Sequence, residues 1–172
     1  GAKEIHMPQS VKLSDELIKQ ARHYGDVYHR STAKQIEYWS TIGKISEENP
    51  DLPYSFIKDI LLAQREVLSG DVTPYEFGWN MQVLQSRQFA KAVKKLHANQ
   101  KADLDKAIQL LIQDPLIGDR KAGDLGGIRI YKFKITNQLN LLAYSYEEEV
   151  LTLTLLALGS HENFYQDLKP SL

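Results

Sequence analysis

The sequence predicts an α+β protein built from two small modules in series, and three observations carry that expectation. The first is element order. A short alternating stretch followed by helical stretches fills the first part, and a β-α-α-β-β-β-α order fills residues 81–172. The second is the placement of the two methionines, Met7 and Met81, each at the head of one such pattern. The third is charge. The chain carries a net charge of −1, but residues 1–80 hold 9 Lys+Arg against 12 Asp+Glu, whereas residues 81–172 hold 12 against 10. An acidic half can neutralise a basic one.

Ser10-Val11-Lys12-Leu13 alternates polar and apolar, the period of a strand with one buried face. Ser14 is a natural helix cap, and Asp15 and Glu16 sit where the helix dipole favours acids. Leu17, Ile18, Ala21 and Tyr24 form the apolar face of this helix, which Gly25-Asp26 interrupts. Ser31 or Thr32 caps the next, with Thr32–Gln35 at capping-box spacing. Ala33, Ile36, Trp39, Ile42 and Ile45 recur at helical spacing until Asn49-Pro50. A strand and two helices in under fifty residues bury too little alone, and the strand has no partner of its own. A homodimer with two such strands paired antiparallel solves both problems. This is a ribbon-helix-helix arrangement, whose ribbon enters the DNA major groove.

A third amphipathic helix follows Pro53, carried by Phe56, Ile57, Ile60, Leu61 and Val67. Beyond Ser69-Gly70 the chain loses helical period and presents Val72, Tyr75, Phe77 and Trp79. Such aromatics need a groove, either on the second module or on the chain's own helices. The expected domains are 1–50, 51–80 and 81–172.

In the second module, Met81–Ser86 reads as a strand. Phe89, Val93 and Leu96, then Leu104, Ile108 and Leu111, mark a helical hairpin broken at His97-Ala98-Asn99 and ended by Asp114-Pro115. Strands are expected near Ile128–Ile135, Leu139–Tyr146 and Val150–Leu158, with turns at Asn137-Gln138 and Glu147-Glu148-Glu149. A short helix through His161–Leu168 closes the chain. The hairpin should cover one sheet face and leave the other as an open concave site. On the strand through Arg129–Lys134, Ile130, Lys132 and Lys134 share one face, and Arg129, Tyr131 and Phe133 the other.

Composition narrows the function classes. With no cysteine, disulfides and thiolate metal sites are excluded, which fits a reducing cytoplasm. No apolar run approaches the roughly 18–20 residues of a membrane helix. Neither half is basic enough for an obvious nucleic-acid binder, so any such binding must rest on a local patch multiplied by dimerisation. No metal or cofactor is implied.

Residues 5–70, on the strength of Met7–Leu17 and His29-Arg30-Ser31-Thr32-Ala33-Lys34-Gln35-Ile36-Glu37-Tyr38-Trp39, resemble the ParD-like antitoxins. The resemblance implies operator DNA binding by Ser10 and Lys12 from the ribbon, with Gln9 at its edge. Ser31, Thr32 and Lys34 would hold a phosphate at a helix N-terminus.

Residues 81–170 resemble the RelE/ParE toxin superfamily. The markers are the element order, the Gly-Asp-Arg-Lys approach to Gly-Gly-Ile-Arg-Ile-Tyr-Lys-Phe-Lys, and the terminal Gly-Ser-His-Glu-Asn-Phe-Tyr. The resemblance implies Lys132, Lys134, His161 and Tyr165 as the site of an mRNA endonuclease acting on translating ribosomes. Histidine moves protons near neutral pH, and two lysines stabilise the negative charge of a phosphorane-like transition state. A tyrosine stacks on a base or hydrogen-bonds to phosphate. Asn140 stands near the place of a third-strand arginine, for which Arg120 and Arg129 are candidate substitutes. Two alternatives stay open: a ParE-like inhibitor of DNA gyrase without hydrolytic chemistry, and a DNA-binding repressor carrying an inactive toxin fold. Contact between antitoxin and toxin can be in cis or in trans, in a dimer or higher assembly.

Overall fold

The computed structural model describes residues 8–75 and 81–161. The chain forms two compact units, Gly1–Lys44 and Ile45–Leu172.

In the first unit, α1 spans Asp15–Val27 and α2 starts at Thr32, running to Glu48. Ser14 caps α1, accepting the Leu17 N–H at 3.2 Å. Helix α1 runs through Gly25-Asp26 instead of stopping there. It ends in a Schellman-type turn in which the Arg30 N–H donates to the Gly25 carbonyl at 2.7 Å, with His29 left-handed at φ 56°. A side chain at position 25 would lie 2.6 Å from the Arg30 carbonyl oxygen, so the glycine permits the chain's close return. Ser31, not Thr32, caps α2 through the Lys34 N–H at 3.2 Å. The expected capping box is not made: the buried Gln35 side chain instead accepts from Arg30 at 3.1 Å. Arg30 also lies over the Tyr38 ring, 4.1 Å from its centre.

The expected strand at Ser10–Leu13 is not formed; residues 8–14 carry no secondary structure. The reason is physical. A strand exists through its neighbour's hydrogen bonds, and one chain supplies this segment with none. Val11 stays 78% exposed, and Tyr24, Val27 and Tyr28 are also exposed.

The second unit is a six-stranded sheet with helices. Helix α3 is Tyr54–Leu68, β1 Val72–Pro74, β2 Gln82–Ser86, α4 Arg87–Lys94 and α5 Ala98–Gln113. Strand β3 is Asp119–Arg120, β4 Arg129–Ile135, β5 Gln138–Glu147 and β6 Thr152–Ser160. The strand order is β1-β2-β6-β5-β4-β3, with β2 parallel to β6 and the other pairs antiparallel. The hairpin α4–α5 packs on one face, where Phe89, Leu104, Ile108 and Leu111 meet Leu142, Tyr144, Leu153 and Leu155. The tight β4–β5 turn is Thr136-Asn137, one residue earlier than expected, with both residues at positive φ. That geometry matches the twist of the flanking strands. Val150 belongs to a 3-10 turn, Glu148–Val150, and β6 begins only at Thr152 after left-handed Leu151. The expected closing helix lies outside the described residues, except for His161 at its start. No described helix is long and apolar enough to cross a membrane.

The second sheet face is not open. Strand β5 is buried on both sides: Leu142 and Tyr144 face the hairpin, so Leu141 and Ala143, also buried, point the other way. Helix α3 lies against β6, β2 and α4. Its buried stripe is Phe56, Ile57, Ile60 and Ala63. The sequence correctly marks this stripe as apolar; which surface it covers depends on the fold.

Candidate functional site

The β4–β5–β6 register assembles the candidate residues. Lys132 pairs with Leu141, which pairs with Gly159. Lys134 pairs with Leu139, whose carbonyl accepts the His161 N–H at 2.9 Å. Directly paired residues share a sheet face. Lys132, Lys134 and His161 therefore stand on one face in two adjacent rows. Lys134 and His161 lie two strand spacings apart, about 10 Å. Both lysines are exposed and His161 is buried.

Two candidates stand elsewhere. Arg129 shares the hairpin face with Tyr131 and Phe133, and Arg120 pairs with it across β3–β4. The Arg129 guanidinium donates to the Leu116 and Gly118 carbonyls at 3.1 and 2.9 Å, which ties down the loop after α5. Asn140 sits beside Ser160 and donates to the Gln138 carbonyl at 3.0 Å. Tyr165, Phe77 and Trp79 lie outside the described residues.

Residues 51–75 pack around this sheet, α3 against β6 and β2, with Asp51 reaching the lysine face. A side chain at Gly159 would lie 2.9 Å from the Phe56 ring, so α3 begins directly over the row that contains Lys132. Ahead of it, the Asp51 carboxylate accepts from Lys121 Nζ with both oxygens, at 3.2 and 3.0 Å, and lies 3.9 Å from Lys132 Nζ. Further along, buried Glu66 of α3 accepts the Gln88 N–H at 3.1 Å, helping to cap α4 beside Ser86. Strand β1 then adds to β2, the Tyr75 N–H donating to the Val83 carbonyl at 2.8 Å. The Tyr75 ring enters the hairpin core against Phe89, and its hydroxyl donates to Asp105 at 2.9 Å. Of the aromatics expected to find a groove, Tyr75 fills one on the second module, while Val72 stays half-exposed on β1. A cleft of about 450 Å³ remains between α3, α4 and β6, lined by Asp59, Lys91, Lys95, Asn140 and Ser160 among others.

In the first unit, Gln9, Ser10, Lys12 and Lys34 are exposed, Lys34 pairing with Glu37 at 3.1 Å. The Ser31 hydroxyl is occupied with the α2 cap.

Nothing in the sequence marks Asp51 or Lys121 as site residues. Lys121 lay inside the Gly-Asp-Arg-Lys approach, but only the β3–β4 ladder turns it inward. Its N–H donates to the Ile128 carbonyl at 2.9 Å, one step beyond the Arg120–Arg129 pair, so it shares the face of Ile130 and Lys132.

The electrostatics of this contact have a measurable consequence. Burial would raise the Asp51 carboxyl, but the Lys121 hydrogen bond and charge, with Lys132 beyond, outweigh it and hold the group below its usual value of 3.8. A depressed folded value means stability that is complete above 3.8 and lost as pH falls through the lower folded value. Asp59 has the opposite sign. Burial raises it against the pull of Lys58 and Lys95, so its contribution is complete at low pH and fades as pH rises through the raised folded value. Acid titration of stability in the intact chain should therefore lose a component below pH 3.8 that Asp51→Asn removes. Equal acid profiles for the two chains would rule out the pairing. The effect is modest, because the Asp51 side chain is 37% exposed and solvent screens it.

The second unit is thus a small sheet with a helical hairpin on one face, joined by a preceding helix and strand that pack on it. The family model of the ParE-like toxin of the type II bacterial toxin–antitoxin system matches residues 83–169, just over half of the chain, and the chain belongs to that family. The model of the ParD-like antitoxin of the same system matches residues 8–75, so the chain is a toxin–antitoxin pair in one polypeptide. No curated protein matches. Among solved structures, the intact RelBE toxin–antitoxin complex of E. coli is similar at 17% identity, covering 45% of this chain and 92% of that one, with a TM-score of 0.38. The toxin–antitoxin complex RelBE2 from Mycobacterium tuberculosis is 20% identical, covering 51% and 99%, with a TM-score of 0.40. The isolated E. coli RelE toxin is 19% identical, covering 52% and 97%, with a TM-score of 0.39.

Proposed function

We propose that the toxin module is a RelE-like, ribosome-dependent mRNA endonuclease, held inactive by residues 51–75 of the same chain. The observation that carries this reading is the shared face: Lys132, Lys134 and His161 stand together on it, and Phe56 and Asp51 sit over it. In this mechanism His161 transfers a proton as the RNA 2′-hydroxyl attacks the neighbouring phosphate. Lys132 and Lys134 stabilise the extra negative charge on the phosphorus oxygens. The 2′-oxygen–phosphorus bond forms, the bond to the 5′-oxygen breaks, and the leaving oxygen takes up a proton. Tyr165 would stack on a base. Arg129, on the opposite face, holds the loop after α5, and Arg120 pairs with it across β3–β4.

The first unit is the operator-binding part. Its exposed Val11, Tyr24, Val27 and Tyr28 favour a homodimer in which residues 10–13 of two chains pair as the ribbon. That would present Gln9, Ser10 and Lys12 to the major groove, with Ser31, Thr32 and Lys34 at the phosphates.

The test is growth arrest by residues 81–172, rescued by residues 1–80. His161→Ala, and Lys132→Ala with Lys134→Ala, should each cut mRNA cleavage on ribosomes about a hundredfold or more. Undiminished arrest, accompanied by loss of gyrase supercoiling, would replace this reading with that of a gyrase inhibitor. Harmless residues 81–172 would leave a repressor carrying an inactive toxin fold.

A further inference from the structure

Asp51 does more than cover a surface. It lies in the turn between α2 and α3, which is fixed on both sides. Asn49 and Leu52 are buried, the Leu52 N–H donates to the Asn49 carbonyl at 3.0 Å, and the Asn49 side chain donates to the Ile45 carbonyl at 2.9 Å. From this turn the carboxylate places both oxygens on one ammonium, Lys121 Nζ, and one of them 3.9 Å from a second, Lys132 Nζ. The Lys121 side chain is only 13% exposed. With the segment docked, that half-enclosed ammonium is matched by a carboxylate. The anion described there belongs to the antitoxin segment, and it leaves whenever that segment leaves. Lys121 and Lys132 then face the same space with two positive charges and no carboxylate between them. A phosphodiester carries the same single negative charge as a carboxylate, on oxygens that accept charge-assisted hydrogen bonds equally well.

We propose that Lys121 and Lys132 form a phosphate subsite of the toxin module, and that Asp51 fills it in the intact chain as a stand-in for a backbone phosphate of the nucleic-acid substrate. The word substrate rests on the nuclease reading; the anion site itself does not. Lys121 becomes a substrate-positioning residue, and the antitoxin segment restrains the toxin by occupying this subsite as well as by covering the sheet.

The full-length chain tests this through its melting temperature, with two probes: inorganic phosphate and a 2′-deoxy dinucleoside monophosphate, each against chloride at matched ionic strength. Asp51→Asn keeps an acceptor for Lys121 but removes the charge. The dinucleotide should bind the Asp51→Asn chain roughly tenfold more tightly than the unaltered chain and raise its melting temperature accordingly. Adding Lys121→Met should abolish the gain. If Asp51→Asn does not melt cooperatively, Asp51→Ser takes its place. Equal binding by the unaltered and Asp51→Asn chains, or gain surviving Lys121→Met, overturns the subsite. A response to inorganic phosphate alone overturns the nucleic-acid assignment. The dinucleotide lacks the attacking hydroxyl, so binding is read apart from cleavage. Failure of the His161 test would remove the nuclease and leave the subsite standing.

Discussion

Phe56→Ala is expected to lower the unfolding free energy of the second unit by about 3–5 kcal/mol, the usual cost of removing a buried aromatic ring. Phe56 is 2% exposed at the start of α3, and its ring fills the space that Gly159 leaves by having no side chain. The cavity would open directly over the row of Lys132, Leu141 and Gly159, where the sheet cannot collapse without breaking β-ladder hydrogen bonds. Denaturant unfolding of the intact chain measures the loss. The same variant should raise toxicity when the full chain is expressed, because α3 would sample its undocked state more often. A change under about 1 kcal/mol would mean that α3 does not rest on the sheet.

Tyr75→Ala is the second large expectation, again about 3–5 kcal/mol. Tyr75 anchors the other end of the antitoxin segment. Its backbone joins β2, and its ring packs edge-on against Phe89 at 6.0 Å between centres. Lys101 lies 5.7 Å from the same ring centre and pairs with Asp105, which accepts the hydroxyl. Burial, with the Asp105 hydrogen bond and charge, pushes the Tyr75 hydroxyl well above its ordinary pKa, so it remains a donor at any physiological pH. Tyr75→Phe separates the two parts of the contact. It keeps the ring and removes one hydrogen bond from an Asp105 that still has Lys101, so about 1 kcal/mol is expected. If Tyr75→Phe proved as damaging as Tyr75→Ala, the hydroxyl network and not the buried ring would hold β1 in place.

The two anchors differ in how far the sequence reveals them. Phe56, Ile57 and Ile60 were legible as one helix face because a 3.6-residue repeat needs no knowledge of the partner. The aromatics after Gly70 were legible only as side chains lacking a core. The hairpin, the long strands and the shared side of Lys132 and Lys134 were also readable, since alternation along a strand assigns faces locally. Turns were placed less well. Thr136 and Leu151 adopt left-handed backbone without the glycine or asparagine that would announce it, and this displaced the neighbouring strand ends. Gly25 does not interrupt its helix, because a glycine can serve the close approach of another segment as well as end a helix.

By itself the sequence determined the α+β class, the two modules in series, the family resemblance of each and the lysine face of β4. These follow from periodicity, order and local motif, which are properties of neighbours along the chain. Only the tertiary structure decided that α3 covers the β6 and β2 part of the face expected to be open, that Arg129 is turned away toward a loop, and that Asp51 meets Lys121 seventy residues further on. Such contacts depend on strand order and register, which bring distant residues together without leaving a periodic mark in either segment. The strand at residues 10–13 is the converse case. Its pattern is plain in the sequence, but a strand exists through a neighbour's hydrogen bonds, and among the described residues nothing pairs with it.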